Sequence, residues 1–199
     1  MNKTLSLAFA IPAVIFTFSA HCENDWYLGA QYSAQEVTSL PDRDFNTLGI
    51  IAGYQYNQFL SFETRFSKGI SGYSDPLYVS DSTNAEYKED IDNQASFFIK
   101  ASYPIISSFN VYALAGMTKS KYEITTTLSQ IDIEGNTTTT YPHMIKKSES
   151  GFSYGVGLSY QVYEYFYLFI DYQVLPELEI VSGGSLGWKS SSFGVNYAF

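Results

Sequence analysis

Four ionisable residues stand out because each interrupts a run in which apolar and small side chains alternate: Glu63, Arg65, Lys100 and Asp171. Two cations and two anions on one face of such segments suggest a mutually neutralising network, since buried charge is costly unless paired and hydrogen-bonded. Gln31, Gln55, Gln161, Gln173 and Asn196 hold equivalent positions and would extend it. Inside a narrow lumen the network either gates a conduction path or plugs and orients the structure. The width of the scaffold decides, and the narrow one derived below favours the plug.

Catalysis has less to work with. His143 lies beside Pro142, and His21 falls in the leader described below. A histidine-dependent lipid deacylase or acyltransferase needs its base held against a serine and an orienting carboxylate or amide. Ser148 and Ser150 are near in sequence, but no spacing marks a constellation. The expectation is no enzyme and no cofactor. The acidic group Asp81, Glu86, Glu89, Asp90 and Asp92 lacks the spacing and glycine of a calcium loop. A lone cysteine, Cys22, excludes a disulfide scaffold and a cysteine-based zinc site. No metal is expected.

Composition narrows the partners. The 199 residues include 15 Phe, 18 Tyr and 2 Trp, while only 16% are charged and the net charge is −9. That balance excludes nucleic acid, which needs a cationic footprint. So aromatic a chain is also no disordered segment. Residues 1–22 have the build of a secretory signal peptide: Lys3, then an apolar run from Leu5 to Phe18, then small residues at Ala20 and Cys22. Cleavage fits after either Ala20 or Cys22. Taking the latter, residues 23–199 form one domain.

That domain alternates with period two, so side chains two apart share a face. Eight strands are predicted, at Asp25–Val37, Asn46–Tyr56, Phe59–Phe66, Gln94–Tyr103, Phe109–Ile124, Gly151–Val162, Tyr165–Val174 and Gly187–Phe199. In the sixth, Phe152, Tyr154, Val156, Leu158, Tyr160 and Val162 oppose Ser153, Gly155, Gly157, Ser159 and Gln161. The fifth is ambiguous in parity, with Val111, Ala113, Ala115 and Met117 against Tyr112, Leu114, Gly116 and Thr118. Connections alternate between short ones (57–58, 104–108, 163–164) and long polar ones (38–45, 67–93, 125–150, 175–186). An even number of strands with this rhythm makes an antiparallel up-and-down barrel, all-β.

Two eight-stranded barrels fit, one soluble and one transmembrane. Eight strands leave an interior just wide enough for side chains. The bulky face would overfill it, whereas Gly49, Gly53, Gly155, Gly157 and Gly194 among Gln and Ser fit well. Aromatics near strand ends match the belts of membrane barrels. The apolar face therefore meets lipid. Most of the acidic excess falls in the four long connections, and the run 136–141 suits β-extension above the membrane.

The chain ends Ser192-Phe-Gly-Val-Asn-Tyr-Ala-Phe199, in which Ser192, Gly194, Tyr197 and Phe199 resemble the C-terminal assembly signal of bacterial outer-membrane proteins. With the Trp26-Tyr-Leu-Gly-Ala-Gln-Tyr opening, residues 23–199 resemble the small OmpA-like eight-stranded barrel family, without its peptidoglycan-binding domain. The resemblance implies a monomer in the Gram-negative outer membrane, periplasmic termini and extracellular loops. It implies contact with outer-membrane lipid, lipopolysaccharide and the assembly machinery. A structural and surface role follows, in membrane integrity, adhesion to a host or surface ligand, or resistance to host factors. The alternatives are a narrow channel for small solutes or apolar molecules, and a lipid-modifying enzyme.

Overall fold

The computed structural model describes residues 25–39, 42–80, 83–131, 137–139, 143–179 and 185–199. Residues 1–22, assigned to the signal peptide, lie outside them. Ten strand segments are present: β1 (Trp26–Val37), β2 (Arg43–Asn57), β3 (Leu60–Ser71), β4 (Tyr73–Ser80), β5 (Thr83–Ile106), β6 (Phe109–Ile131), β7 (Thr137–Thr139), β8 (His143–Tyr163), β9 (Phe166–Glu179) and β10 (Ser185–Ala198). They make eight staves. β3 pairs with the lower half of β5 and β4 with its upper half, so β3 and β4 form one stave interrupted at Gly72. β7 and β8 likewise share β6.

Every neighbour pairing is antiparallel, and β1 pairs with β10 to close the ring, which removes free edges at that level. Tight turns join β2 to β3, β5 to β6 and β8 to β9 at one end. The C-terminus lies there too, where the Phe199 N–H donates to the Trp26 carbonyl at 2.9 Å.

Outward residues form a lipid-facing band. Its lower rim is aromatic, with Trp26 against Tyr54 (5.0 Å between centroids), Phe59 against Tyr103 (6.5 Å) and Phe166 against Tyr197 (5.0 Å). Its upper rim runs through Leu48, Phe66, Phe97, Met117, Phe152 and Phe193, all exposed. On β8 the band spans nine residues, Phe152 to Tyr160, close to the 9–11 that a tilted strand needs to cross a membrane. Above it the outward side chains turn polar, beginning with Glu36, Asp44, Lys68, Lys119 and Lys189.

The long connections differ from the expectation. Residues 67–93 and 125–150 were expected as loops, yet β5 is 24 residues long and β6 is 23, more than twice the membrane requirement. Runs such as Ile124-Thr-Thr-Thr are β-prone whether or not lipid covers them. Likewise β2 starts at Arg43, β9 runs to Glu179 and β10 starts at Ser185. β4, β5, β6 and β8 therefore continue past the ring as a projecting sheet.

The interior is layered. A lower apolar cluster holds Tyr27, Ile51, Phe98, Tyr112, Leu114 and Phe169. Above it comes a hydroxyl and amide layer, where Gln94 bonds Gln35 and Ser120, Ser96 bonds Thr118, and Ser33 bonds Ser192. An upper apolar cluster of Val37, Phe45, Ile91, Tyr122, Leu175, Leu178 and Trp188 closes the far end. The lumen was expected to be small and polar, so these inward aromatics are a correction. They fit because glycines face them, as the site shows. The fifth predicted strand is resolved too, with Tyr112 and Leu114 buried and Ala113, Ala115 and Met117 outward.

Candidate functional site

Glu63, Arg65, Lys100 and Asp171 arrive from β3, β5 and β9 at one level of the lower interior. Arg65 is the hub. Its Nε donates to Glu63 Oε1 at 2.6 Å and its second terminal nitrogen to Asp171 Oδ2 at 2.8 Å. The first terminal nitrogen donates to Gln31 Oε1 at 3.1 Å. Lys100 Nζ reaches Glu63 Oε2 at 3.5 Å. The remaining acceptor sites are filled by the Tyr27 hydroxyl on Glu63 (2.7 Å), the Tyr112 hydroxyl on Asp171 (3.0 Å) and the Gln173 amide on Asp171 (2.7 Å).

Aromatic faces complete the cage. The Arg65 guanidinium lies 5.5 Å from the centroids of both Phe98 and Phe169. Lys100 lies 4.2 Å from the Tyr112 centroid and 5.6 Å from that of Tyr27. Two charges of each sign cancel, and ring quadrupoles favour the cations where water is excluded. These rings need space, and glycine supplies it. Tyr27 opposes Gly53, Tyr112 opposes Gly157, Phe169 opposes Gly194, Phe98 opposes Gly116 and Leu114 opposes Gly155 in the ladders. A Cβ at Gly53, Gly157 or Gly194 would meet the facing ring.

Of the polar extensions expected around the network, Gln31, Gln173 and Asn196 are buried, Gln161 is half-buried and Gln55 is exposed at the short-turn end. The amide of Gln55 bonds the Asn57 carbonyl there at 3.1 Å.

The acidic group does not lie in a loop, which corrects that expectation. Glu86, Glu89, Asp90 and Asp92 are on β5, and Asp81 lies outside the described residues. Glu86 and Asp90 are exposed, with Glu86 paired to Lys88 at 2.9 Å. Glu89 is fully buried. It accepts from the Tyr87 and Tyr122 hydroxyls and pairs with Arg43 at 2.8 Å. A β-bulge between Ile91 and Asn93 explains the inversion, because one extra residue moves every side chain above it to the other face. Burial first, then the hydrogen bond to Glu89 and its charge, push the Tyr87 hydroxyl up to about 12. The same causes in the same order raise Tyr122.

His143 opens β8 and is exposed, as are Ser148 and Ser150. Five residues along an extended strand separate His143 from Ser148 by about 16 Å. In the C-terminal motif, Ser192 is buried, whereas Tyr197 and Phe199 face outward at the lower rim, 6.3 Å apart. Sequence reasoning missed Tyr87 because the bulge resets the parity of β5, Arg43 because 38–45 reads as a connection, and Tyr122 because the fifth predicted strand is ambiguous in parity.

A closed antiparallel ring, greasy and aromatic-rimmed outside and ion-paired inside, defines a transmembrane β-barrel. The chain belongs to the outer membrane protein beta-barrel domain family, whose model matches residues 5–199, and so to the Gram-negative outer membrane. No curated protein matches it by sequence. Among solved structures it is similar to Ail, the attachment invasion locus protein of Yersinia pestis, at 13% identity over 87% of this chain and 97% of that one, with a TM-score of 0.53. It is similar to Neisserial surface protein A at 18% identity over 88% and 97%, with a TM-score of 0.53. These likenesses concern the fold.

Proposed function

We propose that this protein is a closed barrel that works at the cell surface, binding an external partner through its projecting sheet. One observation carries the reading: among the described residues, the β8 edge just above the lipid band is left open. Among the described residues the β8–β9 ladder runs from the short turn up to Tyr154↔Val174, although β9 continues to Glu179 and β8 to His143. Two residues on, the register brings Pro176 opposite Phe152, and proline has no N–H to offer a neighbour. Residues 149–152, which this register sets opposite the described residues 176–179, therefore have no strand partner on that side. An open edge pairs readily with an extended segment of another polypeptide, main chain to main chain.

The lumen supports the same reading. The cage around Arg65 and the apolar cluster around Trp188 both stand across any path, which favours a plug over a channel. Catalysis forms no part of the proposed role. The long-connection end is taken as extracellular and the termini as periplasmic. The names of two similar structures, an attachment invasion locus protein and a surface protein, agree with surface exposure. The test measures binding to host cells and extracellular matrix by cells carrying either the wild type or a form with residues 70–92 and 127–147 shortened. Loss of binding is expected on shortening. Equal binding by both forms would overturn the reading.

A further inference from the structure

The projecting sheet of β4, β5, β6 and β8 leaves the barrel at one level, and irregularities of the strands collect there. Ile70 is an extra residue on β3, between Asn46↔Ser71 and Thr47↔Gly69. Gly72 then separates β3 from β4. On β5, Asp92 is the extra residue between Ile91↔Tyr122 and Asn93↔Lys121. Two close approaches set these at the same height: a Cβ on Gly69 would meet the Ile91 carbonyl, and one on Gly72 the Glu89 carbonyl. Bulges bend the strands that carry them. β6 and β8 cross the level as one unbroken ladder. The slack is therefore on the β4 side of the sheet and the pivot on the β6–β8 side.

Backbone ties between this sheet and the rim are few. Among the described residues β4 forms no ladder with β2, although Arg43 to Phe45 continue past Asn46↔Ser71. Side chains span that gap instead. Arg43 of β2 pairs with Glu89 of β5 at 2.8 Å, and its guanidinium lies 6.0 Å from the Tyr73 ring centroid on β4. Phe45 of β2 meets Tyr122 of β6 edge-on, with 5.7 Å between centroids. Ile91 and Tyr122 also join Val37, Leu175, Leu178 and Trp188, which stand on the rim. This seat is incomplete. Trp188 Nε1 is buried with no hydrogen-bond partner among the described residues, a cost that contact with water removes.

We propose that the projecting sheet is a lid on the barrel mouth, pivoting on the β6–β8 ladder, bending at Ile70, Gly72 and Asp92, and latched by Arg43. Closed, it seats Ile91 and Tyr122 on the rim. Open, it bares an apolar cup of Val37, Phe45, Leu175, Leu178 and Trp188. The Arg65 cage lies below and stays shut, so the motion exposes a cup and no path through the membrane. The Asp92 bulge makes the latch possible, because it turns Glu89 inward toward Arg43. The arginine side chain is 28% exposed and the glutamate 0%, so water can replace the pair from the arginine side. A few residues that absorb the bend are enough for a hinge. The motion belongs to the sheet itself and stands whether or not a partner pairs with its edge.

The test uses residues 23–199 in lipid nanodiscs, a chain with no cysteine of its own. Spin labels are attached at Ser74→Cys on β4 and Lys189→Cys on β10, both exposed positions, and pulsed electron paramagnetic resonance reads the distance between them. A second pair, Ser74→Cys with Ser148→Cys on β8, lies within the lid. Gel mobility before and after boiling checks that each barrel is closed. Wild type is expected to give one narrow distance from Ser74 to Lys189. Arg43→Gln is expected to add a longer one, while the pair within the lid keeps its distance. Phe45→Leu loosens the seat and leaves the latch, and it too is expected to add the longer distance. It decides alone should Arg43→Gln fail to close. Distances unchanged between wild type and the variants overturn the proposal. So does a within-lid distance that broadens in step, because the sheet would then fray strand by strand instead of swinging.

Discussion

Tyr27 on β1 and Gly53 on β2 are direct ladder partners, and the tyrosine ring occupies the space a Cβ at Gly53 would need. The missing side chain lets the ring lie across the barrel wall and reach Glu63 with its hydroxyl at 2.7 Å. Gly53→Val is expected to destabilise the folded barrel by about 1–3 kcal/mol through overpacking. Urea unfolding in lipid vesicles measures it. An unchanged midpoint would show that the ring has another place to go.

Removing the hub should cost more. Arg65→Ala leaves Glu63 and Asp171 as buried anions with only lysine, hydroxyl and amide partners, a loss of about 3–5 kcal/mol. Replacing Glu63, Arg65, Lys100 and Asp171 together with Gln, Met, Met and Asn is expected to recover most of it, because none of the four buried charges remains. Planar-bilayer recordings of the wild type should stay near baseline. Large, steady single-channel currents would count against the plug.

The cluster of Glu89, Tyr87 and Tyr122 predicts a response to alkali. Tyr87 has its hydroxyl raised from 10.0 to about 12 by burial and by Glu89, so its contribution is present below pH 10. It is lost as pH rises from 10 through 12, because a raised pKa favours the protonated, folded form. The reporter is Trp188, which is 1% exposed and packs in the same upper cluster. In a Trp26→Phe background its emission should move to longer wavelength across that window while the barrel stays closed on gels. Constant emission up to pH 12 would disconnect the tyrosines from the cap.

The terminal motif predicts a division between cells and test tube. Tyr197 and Phe199 lie on the lower rim and contribute no side chain to the interior. Deleting Phe199 should lower the amount of folded protein in the outer-membrane fraction several-fold, yet leave refolding into detergent micelles intact. Loss in both settings would make the residue a packing element instead.

Much of this architecture was readable from alternation, but only where lipid enforces it. Phe152 to Tyr160 must present every second side chain to a uniform apolar medium, so period two is strict there. Beyond Phe152 both faces of β8 meet water, selection for a pattern lapses, and 143–150 reads as a loop. Burial of Glu89 was hidden for another reason: one bulged residue near Asp92 reverses inside and outside above it. The four charges of the cage share a lumen-facing parity, so the sequence could suggest their meeting. That Tyr27, Tyr112, Phe98 and Phe169 would join them depended on which glycine each strand sets opposite, and register is not written in any single strand.

Closure of the ring joins the two ends of the chain, with Tyr27 paired to Ala198. The β5–β6 hairpin, by contrast, turns over two residues. Loop entropy rises with the length enclosed, so the hairpin forms cheaply and the β1–β10 seam is the slowest contact to establish. The terminal motif lies on β10, one lip of that seam. A chaperone or insertase that gripped it would hold the zipper open, and letting go of Tyr197 and Phe199 would then be the committing step of folding.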